Sequence, residues 1–324
     1  MKAVVYKNPD QACEYIEDFN FEGGRADLKE VNLYAAALNK RDDFILKGLY
    51  PGIKNNVILG SDGAGYSEGQ KVLINPGLNW GSNESYQSDD FQILGMPNHG
   101  TFADKINIPS SNIRSIPPHL SMEEAAALPL AGVTAYRAVF TKGDLLEGQK
   151  ILVTGGGGGV ALTCIQFAIA TGAGVFATTS SAEKIKKLSE MGVSFIANYQ
   201  EENWDKGLKS ESGLFDLIID GAGGDGLAKL IGLLKPGGKL VIYGGTKGKS
   251  NDISPQLIFW RQLHLMGTSM GSISDFQNML HFVKAHQIRP VIDSVFELKD
   301  YEKAFERMRS GSHFGKIVLK VQEG

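Results

Sequence analysis

Cysteine is scarce in this chain: only Cys13 and Cys164 occur among its 324 residues. Two cysteines cannot build the disulfide framework of a small secreted domain, and Cys164 lies within an apolar stretch. The N-terminal segment MKAVVYKNPD lacks the apolar core of a signal peptide. Together these absences favour a reducing compartment and predict a cytoplasmic protein.

Long apolar runs and excess positive charge are missing as well. No uninterrupted apolar run reaches the roughly 20 residues that a membrane span needs. A formal net charge of −3 gives no electrostatic reason to expect nucleic acid or an anionic membrane as partner. The length of 324 residues allows two hydrophobic cores, so we expect a globular protein of two domains.

Glycine, in contrast, is abundant and concentrated at one informative place. The β-branched run 151–154 predicts a buried strand, five glycines follow at 155–159, and the apolar run 160–170 predicts a helix that ends at Gly172. Within the turn, the spacing of Gly156, Gly158 and Ala161 fits the G-x-G-x-x-A fingerprint of dinucleotide-binding folds. We expect this loop and the helix start, at Gly159 and Val160, to bind a pyrophosphate.

The rest of the chain separates into three parts. Residues 1–119 are β-rich, with a long polar loop over 78–100. At the start of residues 120–287, Ser121 is the expected cap of a helix. Strand and helix patterns then alternate, which predicts a doubly wound parallel sheet. Short strands return in 288–324 and are expected to rejoin the first domain. The predicted class is therefore α/β, with a nucleotide-binding domain inserted into a β-rich one.

The end of the second nucleotide-domain strand indicates which dinucleotide is bound. An NAD-specific domain places an acidic residue there, roughly 20 residues after the glycines, to bind the ribose 2′-hydroxyl. This strand instead ends in Thr178, Thr179, Ser180 and Ser181, and Lys184 follows. Serine and lysine can donate to a 2′-phosphate, so NADP(H) is the predicted cofactor. The alternative is that the serines only cap a helix and that Lys184 is solvated.

Several motifs together resemble the medium-chain dehydrogenase/reductase superfamily, and in particular its zinc-free, quinone-oxidoreductase-like branch. They are AAALPLAGVTAYRAV, VTGGGGGVA, LKPGGKLVIYGG and the closing GKIVLKV, and AAALNKRDDF is similar to a segment of the same branch. The resemblance covers essentially the whole chain. It implies a GroES-like catalytic domain split around a Rossmann domain.

The resemblance also implies further cofactor contacts. Tyr199 matches a tyrosine that lies against the adenosine phosphate in similar NADPH-dependent reductases. Residues expected along the nicotinamide half are Thr134, Gly221, Gly244, Gly245, Phe314 and Lys316. The alternative is structural: glycines at tight strand ends, and Thr134 as an ordinary helix residue.

The ligands of a catalytic zinc ion are absent from the matching positions. Zinc-dependent members of this superfamily would carry Cys at position 39 and a His-Glu pair at 61 and 62, where this chain has Asn39, Ser61 and Asp62. The loop that matches the zinc-bearing lobe contains no cysteine. We therefore expect no metal site.

Two residues are candidates for catalysis. The branch often carries Asp-x-Tyr-x-Arg after the Asn, whereas this chain has Phe44 and Leu46 in place of the Tyr and Arg. Tyr50 matches a proton-donating tyrosine of related enoyl-thioester reductases, or it is a packed aromatic residue. Asn39 either hydrogen-bonds the substrate oxygen or ties two loops together.

The predicted function is an NADPH-dependent, zinc-free reductase of quinones or α,β-unsaturated carbonyl compounds. Without a Lewis acid, substrates that are already electrophilic are favoured, and the apolar Phe44 and Leu46 favour hydrophobic ones. The alternatives are an enoyl-thioester reductase and an NADPH-binding sensor with little turnover. A homodimer paired through the edge strand at 264–270 is also expected, and light scattering distinguishes it from a monomer.

The absence of zinc ligands gives a direct prediction. Elemental analysis of the purified protein should find no stoichiometric zinc, because asparagine and serine replace the thiolate and imidazole that bind this metal. One zinc ion per chain would contradict it.

Overall fold

The chain folds into two compact units. A computed structural model describes residues 1–8, 12–21 and 27–322. Unit 1 comprises Met1–Ala131 with Ser272–Gly324, and unit 2 comprises Gly132–Gly271. The predicted inserted domain, 120–287, extends beyond unit 2 at both ends, and its boundaries stay a prediction.

The first part of the chain is built mainly from strands. Its strands are β1 (Ala3–Tyr6), β2 (Cys13–Ile16), β3 (Leu28–Ala37), β4 (Val57–Ile58), β5 (Asp62–Ser67), β6 (Gln70–Ile74), β7 (Gly77–Leu78), β8 (Gln92–Ile93), β9 (Lys105–Pro109) and β10 (Ile113–Ser115). Its helices are α1 (Lys40–Leu46), α2 (Met122–Ala127) and α3 (Pro129–Tyr136), and α3 continues as a π-helical turn over Arg137–Lys142. Ser121 caps α2 by accepting a hydrogen bond from the Glu124 N–H at 3.2 Å, as the sequence predicts.

In unit 2, strands alternate with helices. The elements are β11 (Lys150–Val153), α4 (Gly159–Ala170), β12 (Gly174–Thr179), α5 (Ala182–Glu190), β13 (Phe195–Asn198), α6 (Trp204–Ser212), β14 (Phe215–Asp220), α7 (Gly226–Gly232), β15 (Leu234–Ile242), α8 (Pro255–Arg261) and β16 (His264–Gly267). The six strands pair in parallel in the order β13-β12-β11-β14-β15-β16. This order is that of a doubly wound dinucleotide-binding sheet, which confirms the predicted class.

The end of the chain returns to unit 1. It contributes α9 (Ile273–Ala285), β17 (Ile292–Glu297), α10 (Tyr301–Arg309) and β18 (Lys316–Lys320). β18 pairs antiparallel with β3. Both belong to a sheet of order β10-β6-β5-β3-β18-β17, and β9 also pairs with β3. The main sheet of unit 1 is therefore complete only when the last segment of the chain has joined it, as expected for a β-rich domain split by an insertion.

Two features of the strands depend on glycine. β5 begins at Asp62, and its small residues let β3 approach closely: a β-carbon at Gly65 would overlap the backbone of Asn32. Residues 235–238 lie within β15. Leu234 pairs with Phe215 of β14, and the next paired residue of β15 is Lys239. The four residues between them therefore bulge out of the sheet, with Gly237 at φ +73°.

Two further observations bear on partners. Among the described residues, no helix is long and apolar enough to cross a membrane. β16 lies at one edge of the parallel sheet, and α8 just before it exposes Phe259 and Trp260 at 65% and 83%. The dimer paired through this edge stays a prediction.

Candidate functional site

The glycine loop of unit 2 is shaped to receive an anion. Gly155 adopts a left-handed φ of +64°, and nothing lies within 4 Å of the position of a β-carbon there, so the chain turns sharply beneath open space. α4 begins at Gly159 after Gly158, and no side chain caps it. The first N–H groups of the helix, including that of Val160, are therefore available to a phosphate. Gly156 is fixed by a 2.8 Å hydrogen bond from its N–H to the Thr178 carbonyl.

The next two strands of the sheet end in glycines that permit close packing. A β-carbon at Gly221 would overlap the Tyr243 ring, and one at Gly244 would lie 2.7 Å from the Gly221 carbonyl oxygen. Gly245 is exposed and has open space around its α-carbon. Buried Asp220 fixes the region by accepting hydrogen bonds from Thr154 Oγ1 at 2.6 Å and the Gly223 N–H at 2.8 Å. Gly221 and Gly244 are therefore needed for strand packing, and contact with a cofactor would be compatible with this role.

The end of β12 carries donors where an NAD-specific fold carries an acid. Thr179 is its buried last residue, and its carbonyl accepts from the Tyr199 N–H at 3.1 Å. The Tyr199 hydroxyl bonds Ser180 Oγ at 3.0 Å. Ser181 caps α5, which confirms the capping interpretation for that serine alone. The Lys184 side chain crosses the glycine loop: a β-carbon at Gly157 would lie 3.0 Å from its Nζ.

The only acidic residue near this strand end in the sequence points elsewhere. Glu183 is in the first turn of α5, and its carboxylate pairs with Lys187 Nζ at 2.7 Å. Hydroxyl and ammonium groups such as these can donate to a phosphate.

The remaining residues expected near the nicotinamide lie in different settings. Thr134 is buried in α3 at 5% exposure. Phe314 is buried in unit 1, and its N–H donates to Asp293 Oδ1 at 2.8 Å. Lys316 is the first residue of β18, and its ammonium is held by the side chains of unit 1 described next.

Strand register brings three distant polar residues together in unit 1. β3 pairs with β5 so that Ala37 lies opposite Asp62, and with β18 so that Ala37 lies opposite Val318. Continuing the antiparallel register by two residues places Asn39 beside Lys316. All three polar side chains are buried: Asn39 is 7%, Asp62 0% and Lys316 6% exposed.

These three side chains satisfy one another. Lys316 Nζ donates to Asn39 Oδ1 at 2.7 Å and to Asp62 Oδ2 at 2.9 Å. Asn39 Nδ2 donates to Asp62 Oδ2 at 2.9 Å and to the Ala37 carbonyl at 3.4 Å. Asp62 Oδ1 accepts from the Leu130 N–H at 2.7 Å. Both amide hydrogens of Asn39 are thus directed at protein groups, which favours the interpretation that Asn39 ties loops together.

Tyr50 is accompanied by an arginine that the sequence analysis did not single out. Arg41 Nε donates to the Tyr50 hydroxyl at 3.3 Å, and the guanidinium lies 4.6 Å from the ring centroid. Arg41 Nη1 also donates to Ser61 Oγ at 2.6 Å and to the Leu94 carbonyl at 2.7 Å. Tyr50 accepts from Arg41, so its own hydroxyl hydrogen can be donated. Leu46 packs with the core of unit 1, as does part of the Tyr50 ring.

Two aspartates of α1 set the charge around this region. Burial raises the pKa of Asp42 to about 6, against the opposing effect of the Arg41 guanidinium, and Asp42 Oδ2 accepts from the Asn39 N–H at 2.7 Å. Burial would also raise the pKa of Asp43, but hydrogen bonds from Arg309 and Lys47, at 2.8 Å each, hold it below its usual value. Asp42 therefore gains a proton in mildly acidic solution and Asp43 does not.

The residues at the matching metal positions do not fit zinc. Asn39 supplies an amide in place of a thiolate, and the ammonium of Lys316 already neutralises Asp62. A divalent cation in contact with Asn39 and Asp62 would face this ammonium. Throughout residues 1–8, 12–21 and 27–322, no group of three or more His, Cys, Asp or Glu side chains is placed to hold a metal ion.

Comparison with known proteins identifies the family. The zinc-binding dehydrogenase family matches residues 159–285. The zinc-type alcohol dehydrogenase-like protein YogA of Leptosphaeria maculans is 37% identical over 322 residues, which cover 90% of each chain. The acryloyl-coenzyme A reductase of Sulfurisphaera tokodaii is 26% identical, over 99% of this chain and 100% of the reductase.

Solved structures agree over the full length. An NAD-dependent alcohol dehydrogenase has a TM-score of 0.92 and 31% identity, and a quinone oxidoreductase from Thermus thermophilus, also solved with NADPH, has 0.84 and 26%. Each comparison covers 99% of this chain and 100% of the other. The chain belongs to the medium-chain dehydrogenase/reductase superfamily and has its GroES-like and Rossmann domains. It is an oxidoreductase of a family that uses nicotinamide cofactors.

The buried trio gives a prediction on stability. Lys316→Met should lower the free energy of unfolding by about 3 kcal/mol, because it leaves the Asp62 carboxylate buried without its cation. Lys316→Met combined with Asp62→Asn should cost less than the sum of the two single variants, since no unpaired charge remains. Denaturant unfolding measures all three. Lys303→Met, at an ion pair whose lysine side chain is 68% exposed, is the control and should change little. A cost for Lys316→Met no larger than that of the control would contradict the assignment.

Proposed function

We propose that this protein is an NADPH-dependent, zinc-free reductase that transfers hydride to quinones or α,β-unsaturated carbonyl compounds. The observation that carries the proposal is the Lys316 ammonium, held by Asn39 and Asp62 at the positions where zinc-dependent relatives keep their ligands. A protein without a Lewis acid is best suited to substrates whose carbon is already electrophilic, because hydrogen-bond donors alone must stabilise the developing negative charge.

The choice of NADPH rests on this chain's own residues. The named relatives and structures include an NAD-dependent enzyme and one solved with NADPH. Ser180, Lys184 and Tyr199 surround the end of β12 with donors, and Glu183 is engaged with Lys187. A 2′-phosphate would gain charge-assisted hydrogen bonds there, whereas NADH carries no phosphate for these donors to bind. The bound nicotinamide would supply the hydride.

Tyr50 is the proposed hydrogen-bond and proton donor to the substrate oxygen. Arg41 fixes the phenol by donating to its oxygen, and Arg41 is itself held by Ser61 and the Leu94 carbonyl. This arrangement supplies a tyrosine and an arginine although the positions of the usual motif hold Phe44 and Leu46. The donor neutralises an oxygen that becomes a phenolate or an enolate as hydride reaches the conjugated carbon.

The enoyl-thioester reductase remains the second candidate. The full-length similarity to a protein named acryloyl-coenzyme A reductase favours it, as does Tyr50, whose segment resembles that of such enzymes. The chemistry on this chain's side is the same, since both reactions end in an enolate that needs a donor.

Steady-state kinetics test the proposal directly. Consumption of NADPH should be measured against quinones, enones, alkenals and enoyl thioesters, with saturated ketones as the control class. We expect turnover of activated substrates only, and kcat/KM about 100-fold higher with NADPH than with NADH, the effect of two charge-assisted hydrogen bonds. A clear NADH preference would refute the cofactor assignment. Binding of NADPH without turnover of any substrate would point to the sensor, and activity confined to enoyl thioesters to the second candidate.

The tyrosine is tested separately. Tyr50→Phe should lower kcat by about 100-fold, because general acid catalysis contributes effects of this size, while Arg41 keeps its bonds to Ser61 and Leu94. Tyr86→Phe, 64% exposed on the long loop of unit 1, is the matched control. Unchanged turnover of every accepted substrate by Tyr50→Phe would show that this residue only packs.

A further inference from the structure

A second lysine reaches the end of β13 in unit 2 from the opposite half of the sheet. Lys247 follows β15, which is separated from β13 by β14, β11 and β12 in the strand order. Its Nζ nevertheless lies 4.6 Å from the centroid of the Tyr199 ring, within the range of a cation–π contact. The side chains of Lys247 and Tyr199 therefore meet at the carboxyl edge of the sheet, where this fold class binds its dinucleotide.

The backbone of Lys247 is held in place. Its N–H donates to the Ala222 carbonyl at 2.8 Å, and the Gly224 N–H donates to the Gly248 carbonyl at 3.0 Å. A β-carbon at Gly224 would lie 2.9 Å from Lys247 Cβ, so glycine is what lets the two loops come together. The loops after β14 and β15 thus form one unit from which the Lys247 side chain extends toward Tyr199.

The groups around Tyr199 present hydrogens to an anion. The tyrosine hydroxyl lies 3.0 Å from Ser180 Oγ and donates to it, which leaves the serine hydrogen for a further acceptor. The Lys184 side chain lies against Gly157 of the glycine loop, and the Lys247 ammonium lies over the Tyr199 ring. Within the part of the chain that the structure describes, no carboxylate pairs with the exposed Lys247 ammonium.

We propose that Lys247 is a second cation for the 2′-phosphate of NADPH and a determinant of the preference for NADPH over NADH. The inference rests on the proposed NADPH dependence and adds a residue far from Ser180 and Lys184 in sequence. The phosphate carries a charge of about −1.5 to −2 at neutral pH, more than one lysine neutralises. Lys184 and Lys247 together would supply two cations for this charge.

Binding of cofactors and of adenosine fragments tests Lys247 without catalysis. Kd is measured by calorimetry for NADPH, NADH, adenosine 2′,5′-bisphosphate and 5′-AMP, with wild type, Lys247→Gln and Lys247→Arg. We expect Lys247→Gln to weaken binding of the two 2′-phosphorylated ligands about tenfold and to leave the other two within about twofold. Lys247→Arg should stay close to wild type. Lys249→Gln, an exposed lysine on the same loop, is the matched control and should change none of the four values.

Each contrary result has a distinct meaning. If Lys247→Gln weakens all four ligands equally, Lys247 only holds the loop over the site through Tyr199, and the inference fails while the NADPH assignment stands. If it changes none of them, the inference fails in the same way. If the wild-type protein binds adenosine 2′,5′-bisphosphate no more tightly than 5′-AMP, the NADPH dependence fails, and the role of Lys247 fails with it.

Discussion

A buried ammonium must be neutralised, and much of the polar structure of unit 1 follows from this requirement at Lys316. An unpaired charge in the interior costs several kcal/mol, so Lys316 needs both the Asp62 carboxylate and the Asn39 amide oxygen. Asp62 is the first residue of β5, and Asn39 lies two residues after the end of β3 and caps α1. The interaction thus fixes the last strand of the chain, β18, against segments that precede it by more than 250 residues.

In unit 2 the corresponding constraint is that backbone segments lie very close to one another at the carboxyl ends of the strands. Gly155 leaves open space at the loop after β11, and Gly221 and Gly244 let the ends of β14 and β15 pack closely. Asp220 then links the end of β14 to Thr154 after β11, so the loops are positioned before a ligand arrives. A preorganised site of this kind binds without paying to order its loops. When a ligand binds, only the flexible ends of the charged Lys184 and Lys247 side chains would have to move.

The sequence was sufficient for the parts of the molecule that depend on local pattern. The strand, glycine loop and helix over 151–172, the helix cap at Ser121 and the returning last strand are all present, because each depends on residues close in sequence or on strong periodicity. The Lys316–Asp62 pair and the contact of Lys247 with Tyr199 were not predictable. The first arises from strand register and the second from contact between side chains that follow different strands, and neither leaves a local signal in the sequence. Arg41 was missed for a related reason: its partner Tyr50 lies nine residues later, beyond the end of α1.

Asn39 makes hydrogen bonds through both its backbone and its side chain, and this affects how such a protein could acquire a metal site. Asn39 precedes the first turn of α1, where its N–H binds Asp42, and its side chain also binds Lys316 and Asp62. A single change to the cysteine of zinc-dependent relatives would place a thiol beside an ammonium and would leave Asp62 without one of its donors. A metal-binding descendant would therefore have to replace the lysine and the asparagine together, through intermediates less stable than either end state. The arrangement of the interior thus opposes the gain of a metal ligand at position 39, independently of any selection on the substrate.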